Sequence, residues 1–364
     1  MKPAPVGLRA GLLLACLGAE VAPARQQVEN VIVVTLDGVR WQEVFGGAAL
    51  EYFSSEHGGV RDSAELAGRF WRATASERRQ ALMPFLWGTV VREGQIFGDS
   101  ARGAPAYVTN GLWFSYPGYN ELLSGAPDPR IDSNDKIPNP NVTVLEWLHS
   151  LPGYRGRVAA FGSWDVLPFI VNTTRSGVSA NGDGPPFPQP GTPRERELNA
   201  LAADLPPIWG EAARLDGPTM WAALEHLRMQ RPRVVYVMLG ETDEWAHGRR
   251  YDLYLDAACR GDRFVGRLWE AAEAMPEYRG KTALVVTTDH GRGDSPMTWT
   301  DHGREVPAAR RIWIAVLGPT TPALGVRTNV GTTQAQVAAT IAALLGLNFH
   351  ATKPGVASPL PLQP

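Results

Sequence analysis

Three apolar runs in this chain are continuous, and each ends on an acidic motif. Val31-Ile32-Val33-Val34-Thr35-Leu36 leads into Asp37-Gly38, and Val234-Val235-Tyr236-Val237-Met238-Leu239 into Gly240-Glu241-Thr242-Asp243. Ala283-Leu284-Val285-Val286 leads into Thr287-Thr288-Asp289-His290-Gly291. Unbroken rather than alternating hydrophobicity is the pattern of strands covered on both faces. Residues 157–161 and 311–317 read as two further strands. Between them the pattern predicts helices over 142–150 with Asn141 as cap, 216–228 opened by Asp216-Gly217-Pro218, 251–274 and 334–345. Ser76 is expected to cap a helix running towards Val91 past Pro84, and Pro117 to precede a short helix over 119–123 that Gly125 ends. Strands and helices alternate, which predicts an α/β fold with a mostly parallel sheet sandwiched by helices, a three-layer α/β/α arrangement.

Size and composition change that picture little. At 364 residues, 44% hydrophobic and 20% charged, the chain can bury a large core. It is expected to form one catalytic domain over 25–364, with loop insertions at about 41–110 and at 179–207, the latter rich in Pro, Gly and charge. The 41–72 stretch reads as loop. A net charge of −2 gives no reason to expect a nucleic-acid polymer as partner. Residues 1–24 resemble an export signal: Lys2 and Arg9 precede an apolar run over 10–17, and Ala22-Pro23-Ala24 has the form of a cleavage site. Leu13-Leu14-Ala15-Cys16 offers a lipoprotein site with Cys16 as anchor as the alternative. The run is too short to span a membrane, so the product is expected in the periplasm or outside the cell. Loss of Cys16 with the signal would leave Cys259 alone, so no cysteine-based metal site is expected.

The strand-ending motifs carry the candidate chemistry. Carboxyl ends of strands in an open α/β sheet are where ligand chemistry gathers. Asp37 alone has the ordinary explanation of a turn residue. Asp243 and His247 share a helix face at i and i+4, a spacing that in isolation is a surface contact more often than a metal site. Asp289-His290 closing a buried strand is harder to explain by packing, and His302 is a lone loop histidine. Together the six offer three carboxylates and three imidazoles, a donor set that suits zinc and similar cations. Ser115, in Phe114-Ser115-Tyr116-Pro117-Gly118-Tyr119, lies just ahead of a predicted helix; a metal would activate its hydroxyl as a nucleophile, whereas without one it is a capping serine.

The order Asp37, Ser115, Asp243-x-x-x-His247, Asp289-His290, His302 resembles the alkaline phosphatase superfamily, most closely its type I phosphodiesterase/nucleotide pyrophosphatase branch. The resemblance spans residues 37–302 and implies two divalent metal ions, usually zinc, about 4 Å apart. It implies that Asp37, Ser115, Asp289 and His290 hold one ion and Asp243, His247 and His302 the other, with Ser115 passing through a covalent phosphoserine. It further implies that Asn134 donates to a phosphoryl oxygen; an Asx turn is the ordinary alternative, and Asp132, Asp135 and Asn139 are near enough in sequence to replace it.

The substrate expected is a small phosphate ester. Monoesterases of this superfamily place extra Lys or Arg beside the metals, whereas Gly162-Ser163-Trp164-Asp165-Val166-Leu167 has no cation before Arg175, which favours a diester. Tyr119 and Trp164, with Trp113, Phe114, Tyr116 and Trp245, are candidate stacking surfaces, although aromatic residues near a nucleophile are at least as often structural. A phosphomonoesterase is the principal alternative. A sulfatase would show Arg where Tyr119 follows Ser115-Tyr116-Pro117-Gly118, and a phosphomutase is at odds with export. An exported binding protein of the same fold is the reading outside enzymology.

Overall fold

The computed structural model describes residues 27–182, 184–352 and 354–364 together with Met1, Pro3 and Ala4. The expected export signal and Cys16 lie outside the described residues, apart from those first three. No described helix is long and apolar enough to cross a membrane.

Among the described residues eleven strands form: β1 Asn30–Leu36, β2 Gln95–Phe97, β3 Ala106–Tyr107, β4 Val158–Gly162, β5 Ser179–Asn181, β6 Val234–Leu239, β7 Thr282–Thr287, β8 Arg311–Ile312, β9 Ile314–Leu317, β10 Gly325–Val326 and β11 Thr332–Thr333. Eight of them build the main sheet in the order β10-β2-β9-β7-β1-β6-β4-β5, and β11-β3-β8 make a small second sheet. In the main sheet β5, β4, β6, β1 and β7 are parallel, and β9 runs antiparallel to β7 and β2.

Alternation of side chains along each strand feeds two cores. Ile32, Val34 and Leu36 point to one face with Val235, Val237, Leu284 and Val286, under the Asp216–Gln230 and Tyr251–Ala274 helices. Val31 and Val33 point to the other with Tyr236, Met238, Ala283 and Val285, under the Ser115–Ser124, Val144–Ser150 and Gln336–Leu344 helices. The predicted α/β/α layering is therefore observed. Register decides the rest: Leu36 pairs with Leu239 and Thr35 with Thr287. The three acidic strand ends consequently emerge side by side at one edge.

Several expected boundaries are corrected by local chemistry. The 41–72 stretch is not loop but holds helices Trp41–Gly46, Ser55–Gly58 and Ser63–Phe70, the last capped by Asp62, which accepts from Glu65 N at 2.8 Å. Thr74, not Ser76, caps the next helix through a capping box with Glu77; as expected the helical path runs past Pro84, broken only at Met83 and resuming to Glu93. Thr143 caps 144–150 instead of Asn141, whose side chain is spent on Asn120 and Asp128. The 311–317 strand is divided by Trp313: Ile312 pairs in the small sheet and Ile314 in the large one. The 179–207 excursion contains β5 and the Pro193–Ala203 helix, which reaches the Asp216–Gln230 helix through Arg194 and Glu225.

Candidate metal centre

Ser115 is the first residue of its helix, not a residue ahead of it. Pro117 lies within the first turn, where its missing N–H costs nothing, so the helix starts four residues earlier than the pattern predicted. Gly118 lets that helix descend onto β7: a Cβ there would lie 2.5 Å from Asp289 O. The Ser115 hydroxyl thus arrives 3.3 Å from His290 Nε2.

Around that one nitrogen the fold collects oxygen donors. Asp37 Oδ1 and Asp289 Oδ2 each lie 3.4 Å from His290 Nε2, and Asp243 Oδ1 lies at 3.9 Å. A tetrahedral zinc with bonds of about 2.0–2.1 Å sets its ligand atoms roughly 3.3 Å apart, so three oxygens at 3.3–3.4 Å from the imidazole fit such an ion. Asp37 Oδ1 and Asp289 Oδ2 are buried without a hydrogen-bond partner among the described residues, an arrangement that costs stability unless a cation completes it. His290 Nδ1 faces Gly291 O at 2.8 Å, which assigns the proton to Nδ1 and frees Nε2 for a metal. Burial opposes charge on His290, yet Asp289 and Asp37 outweigh it and raise its pKa to about 9. Burial and then Asp37 push Asp289 upward in turn. A divalent ion supplies the positive charge that this carboxylate pair otherwise takes from a proton.

Asp243, His247 and His302 form the second cluster. His247 Nε2 is 2.9 Å from His302 Nε2 and 3.2 Å from Asp243 Oδ2. Burial and the neighbouring His290 depress the pKa of both imidazoles, keeping them neutral as ligands must be. The first cluster is closed, whereas the His247 side chain is 47% exposed, so the centre opens to solvent on this second side.

Other expected site residues are placed differently. Tyr119 is not a stacking surface: its ring is fully buried and its hydroxyl donates to Asp37 Oδ2 at 2.8 Å. Tyr116 is buried as well, its hydroxyl donating to Ile137 O at 2.6 Å. Asn134 is exposed, and its Oδ1 accepts from Tyr116 N at 3.0 Å beside Ser115. Trp164 is half-buried, its ring 6.5 Å from that of Tyr119. Trp245 packs edge-on against Trp209 at 4.9 Å. Arg175 is bound to Glu146 and to the Asn139 and Asn141 carbonyls, so it does not serve the site. Asn139 is buried against Asn120 and Ile170 O.

Sequence reading missed two cations and the strained backbone of Trp113. Lys136, two residues past Asn134, pairs with Asp165 Oδ2 at 2.5 Å across to the loop after β4. Arg292 is buried against Asp243, with burial lowering its pKa to about 9. Its place directly after Asp289-His290-Gly291 was the available signal. Trp113 has φ +53, and its carbonyl accepts from Gly303 N at 3.0 Å, tying the Ser115 approach to the His302 loop.

The Metalloenzyme superfamily model matches residues 217–349, a span containing Asp243, His247, Asp289, His290 and His302. No curated protein sequence matches the chain. Among solved structures, the wild-type alkaline phosphatase PafA is similar at 10% identity with TM-score 0.60, covering 93% of this chain and 99% of that one. The lipoteichoic acid synthase LtaP from Listeria monocytogenes is 13% identical with TM-score 0.56, over 92% and 74% of the two chains. A putative sulfatase from Bacteroides thetaiotaomicron is 14% identical with TM-score 0.56, over 91% and 73%. At such identities these likenesses establish the fold.

Proposed function

We propose that the chain is a member of the alkaline phosphatase superfamily, a reading supported by the Metalloenzyme superfamily match over residues 217–349 and by the shared fold, and that it is a two-metal hydrolase of phosphoric esters that prefers diesters. One observation carries this reading: Ser115 Oγ, Asp37 Oδ1 and Asp289 Oδ2 stand 3.3–3.4 Å from His290 Nε2, as the ligands of a single zinc-sized ion do. Asp37, Ser115, Asp289 and His290 would hold one ion; Asp243, His247 and His302 would hold the other. Bound there, two divalent ions, zinc by donor set, would lower the pKa of the serine hydroxyl and stabilise the departing oxygen.

The chain's own groups supply the remainder. Ser115 Oγ attacks phosphorus, its proton passes to solvent and the ester oxygen leaves with its electron pair. Water then cleaves the phosphoserine, releasing the phosphorylated product and restoring the hydroxyl. Asn134 spends Oδ1 on Tyr116 N, which leaves Nδ2 as a donor for a phosphoryl oxygen. Trp164 remains a half-open aromatic surface for the leaving group. Lys136 and Arg292 are each paired to a carboxylate, an arrangement that suits a transferred group with one negative charge better than two. The proposal includes export, with residues 1–24 removed or Cys16 acylated, which mass spectrometry of the mature protein distinguishes.

Hydrolysis of matched aryl phosphate diester, phosphate monoester and sulfate ester by zinc-loaded protein tests the assignment, with Ser115→Ala as control. The diester is expected to turn over fastest, and Ser115→Ala to lose roughly 10³-fold or more while retaining its metals. A faster monoester would make the enzyme a phosphatase, a faster sulfate ester a sulfatase, and undiminished turnover by Ser115→Ala would remove the serine from the reaction.

A further inference from the structure

A buried guanidinium stands against one ligand cluster. Arg292 is 1% exposed. Nη1 donates to Thr300 O, while Nη2 donates to Asp243 O at 3.2 Å and, in its tightest contact, to Asp243 Oδ1. Its Nε has no acceptor among the described residues. Gly38 provides the space: at φ +62, a Cβ there would meet Arg292 Nε at 2.8 Å and Asp243 Oδ1 at 3.0 Å.

Local charge then differs between the two clusters. Asp37, Asp289 and His290 contribute two carboxylates and one imidazole. Asp243, His247 and His302 contribute one carboxylate and two imidazoles, and Arg292 offsets that carboxylate by direct contact, whereas it reaches Asp37 of the other cluster only through its field. Asp243 Oδ1, 3.6 Å from His302 Nε2, is engaged by the guanidinium; Oδ2, 3.2 Å from His247 Nε2, remains available to a cation. In a partly buried site a unit charge a few ångströms away outweighs small changes in ligand geometry.

We propose that Arg292 makes the metal centre unequal: by holding Asp243 Oδ1 and neutralising its charge, it renders the Asp243, His247, His302 position the weaker and more exchangeable one. The Asp37, Asp289, His290 position is then the tight one. The inference rests on the two-metal reading above and assigns Arg292 as a positioning residue, one that acts through Asp243.

Chelator titration of zinc-loaded full-length protein tests it, following zinc release with a chromophoric indicator for wild type, Arg292→Met and Arg292→Lys. Wild type is expected to release one equivalent at about 10-fold lower chelator than the other. Arg292→Met should tighten the weak position about 10-fold and the tight one by less, whereas Arg292→Lys, which keeps the charge, should keep the wild-type separation. Should Arg292→Met fail to fold, His247→Ala decides, because it should abolish only the early release. Simultaneous release of both ions by wild type, a weak position unmoved or weakened in Arg292→Met, or loss of the late step in His247→Ala overturns the role of Arg292. Wild type that binds no zinc overturns both this inference and the metal-centre reading.

Discussion

The hydroxyl of Tyr119 donates to Asp37 Oδ2 at 2.8 Å from a ring with no solvent exposure. Burial, followed by the charges of Asp289 and Asp37, pushes this phenol well above its ordinary pKa, so it remains a donor throughout the working pH range. It engages one oxygen of Asp37, leaving Oδ1 towards His290. An aromatic residue that reads as a substrate contact in sequence is therefore the support of Asp37, a candidate ligand. Tyr119→Phe should keep the fold and weaken zinc binding at the Asp37, Asp289, His290 cluster by about 10- to 100-fold. Competition with a zinc indicator measures this, and unchanged affinity would make the tyrosine merely a core residue.

Gly118 controls how closely the helix carrying Ser115 approaches Asp289. A methyl group at Gly118 meets the Asp289 carbonyl oxygen at 2.5 Å, and neither backbone can rotate away as a side chain would. Gly118→Ala should cost about 1–3 kcal/mol of stability. A shift of about 1 Å in Ser115 should also lower turnover roughly 10²-fold. Thermal unfolding and single-turnover rates report the two effects separately.

The two clusters should be separable by metal content. His247→Ala removes one of three donors from the open cluster and touches none of the closed one. Atomic absorption of the purified variant is expected to fall from about two zinc ions per chain to about one. Asp37→Ala should instead deplete the closed site, since it removes one of that cluster's two carboxylates. Equal losses from both variants would mean that the clusters bind as one unit.

Glu121, on the Ser115 helix, sets a pH dependence of folding. Burial raises its pKa to about 7 although Thr109 N, Thr109 Oγ1 and Asn110 N all donate to it. The folded state therefore retains a proton that the unfolded chain has lost between about pH 4.5 and 7, so this contribution is greatest below that window and falls as pH rises through it. Its size is on the order of 3 kcal/mol. Glu121→Gln can donate to Thr109 Oγ1 and accept from the two backbone groups, so its unfolding free energy should vary less with pH over that interval. Chemical denaturation at a series of pH values compares the two slopes.

Much of the site was legible because its residues stand where periodicity stops. Asp37, Asp243 and Asp289 follow apolar runs, and β1, β6 and β7 pair in a register that aligns those ends. Boundaries were less legible where two polar residues compete for one cap: Thr74 prevails over Ser76 because Glu77 completes its capping box. The Ser115 helix was read four residues short because Pro117 resembles a stop, although in a first turn it removes no needed donor.

By itself the amino-acid sequence determined the layered α/β architecture, the order of the chemical motifs and the types of donor available, because burial on two faces and strand-ending acids are local patterns. Tertiary structure alone decided that Tyr119 supports Asp37, that Arg292 and not Arg175 stands against Asp243, and that the donors divide into a closed cluster and an open one. Those facts depend on distances between residues as far apart as Asp37 and Asp289, and such distances arise only when three strands pair and a glycine-bearing helix descends onto their ends.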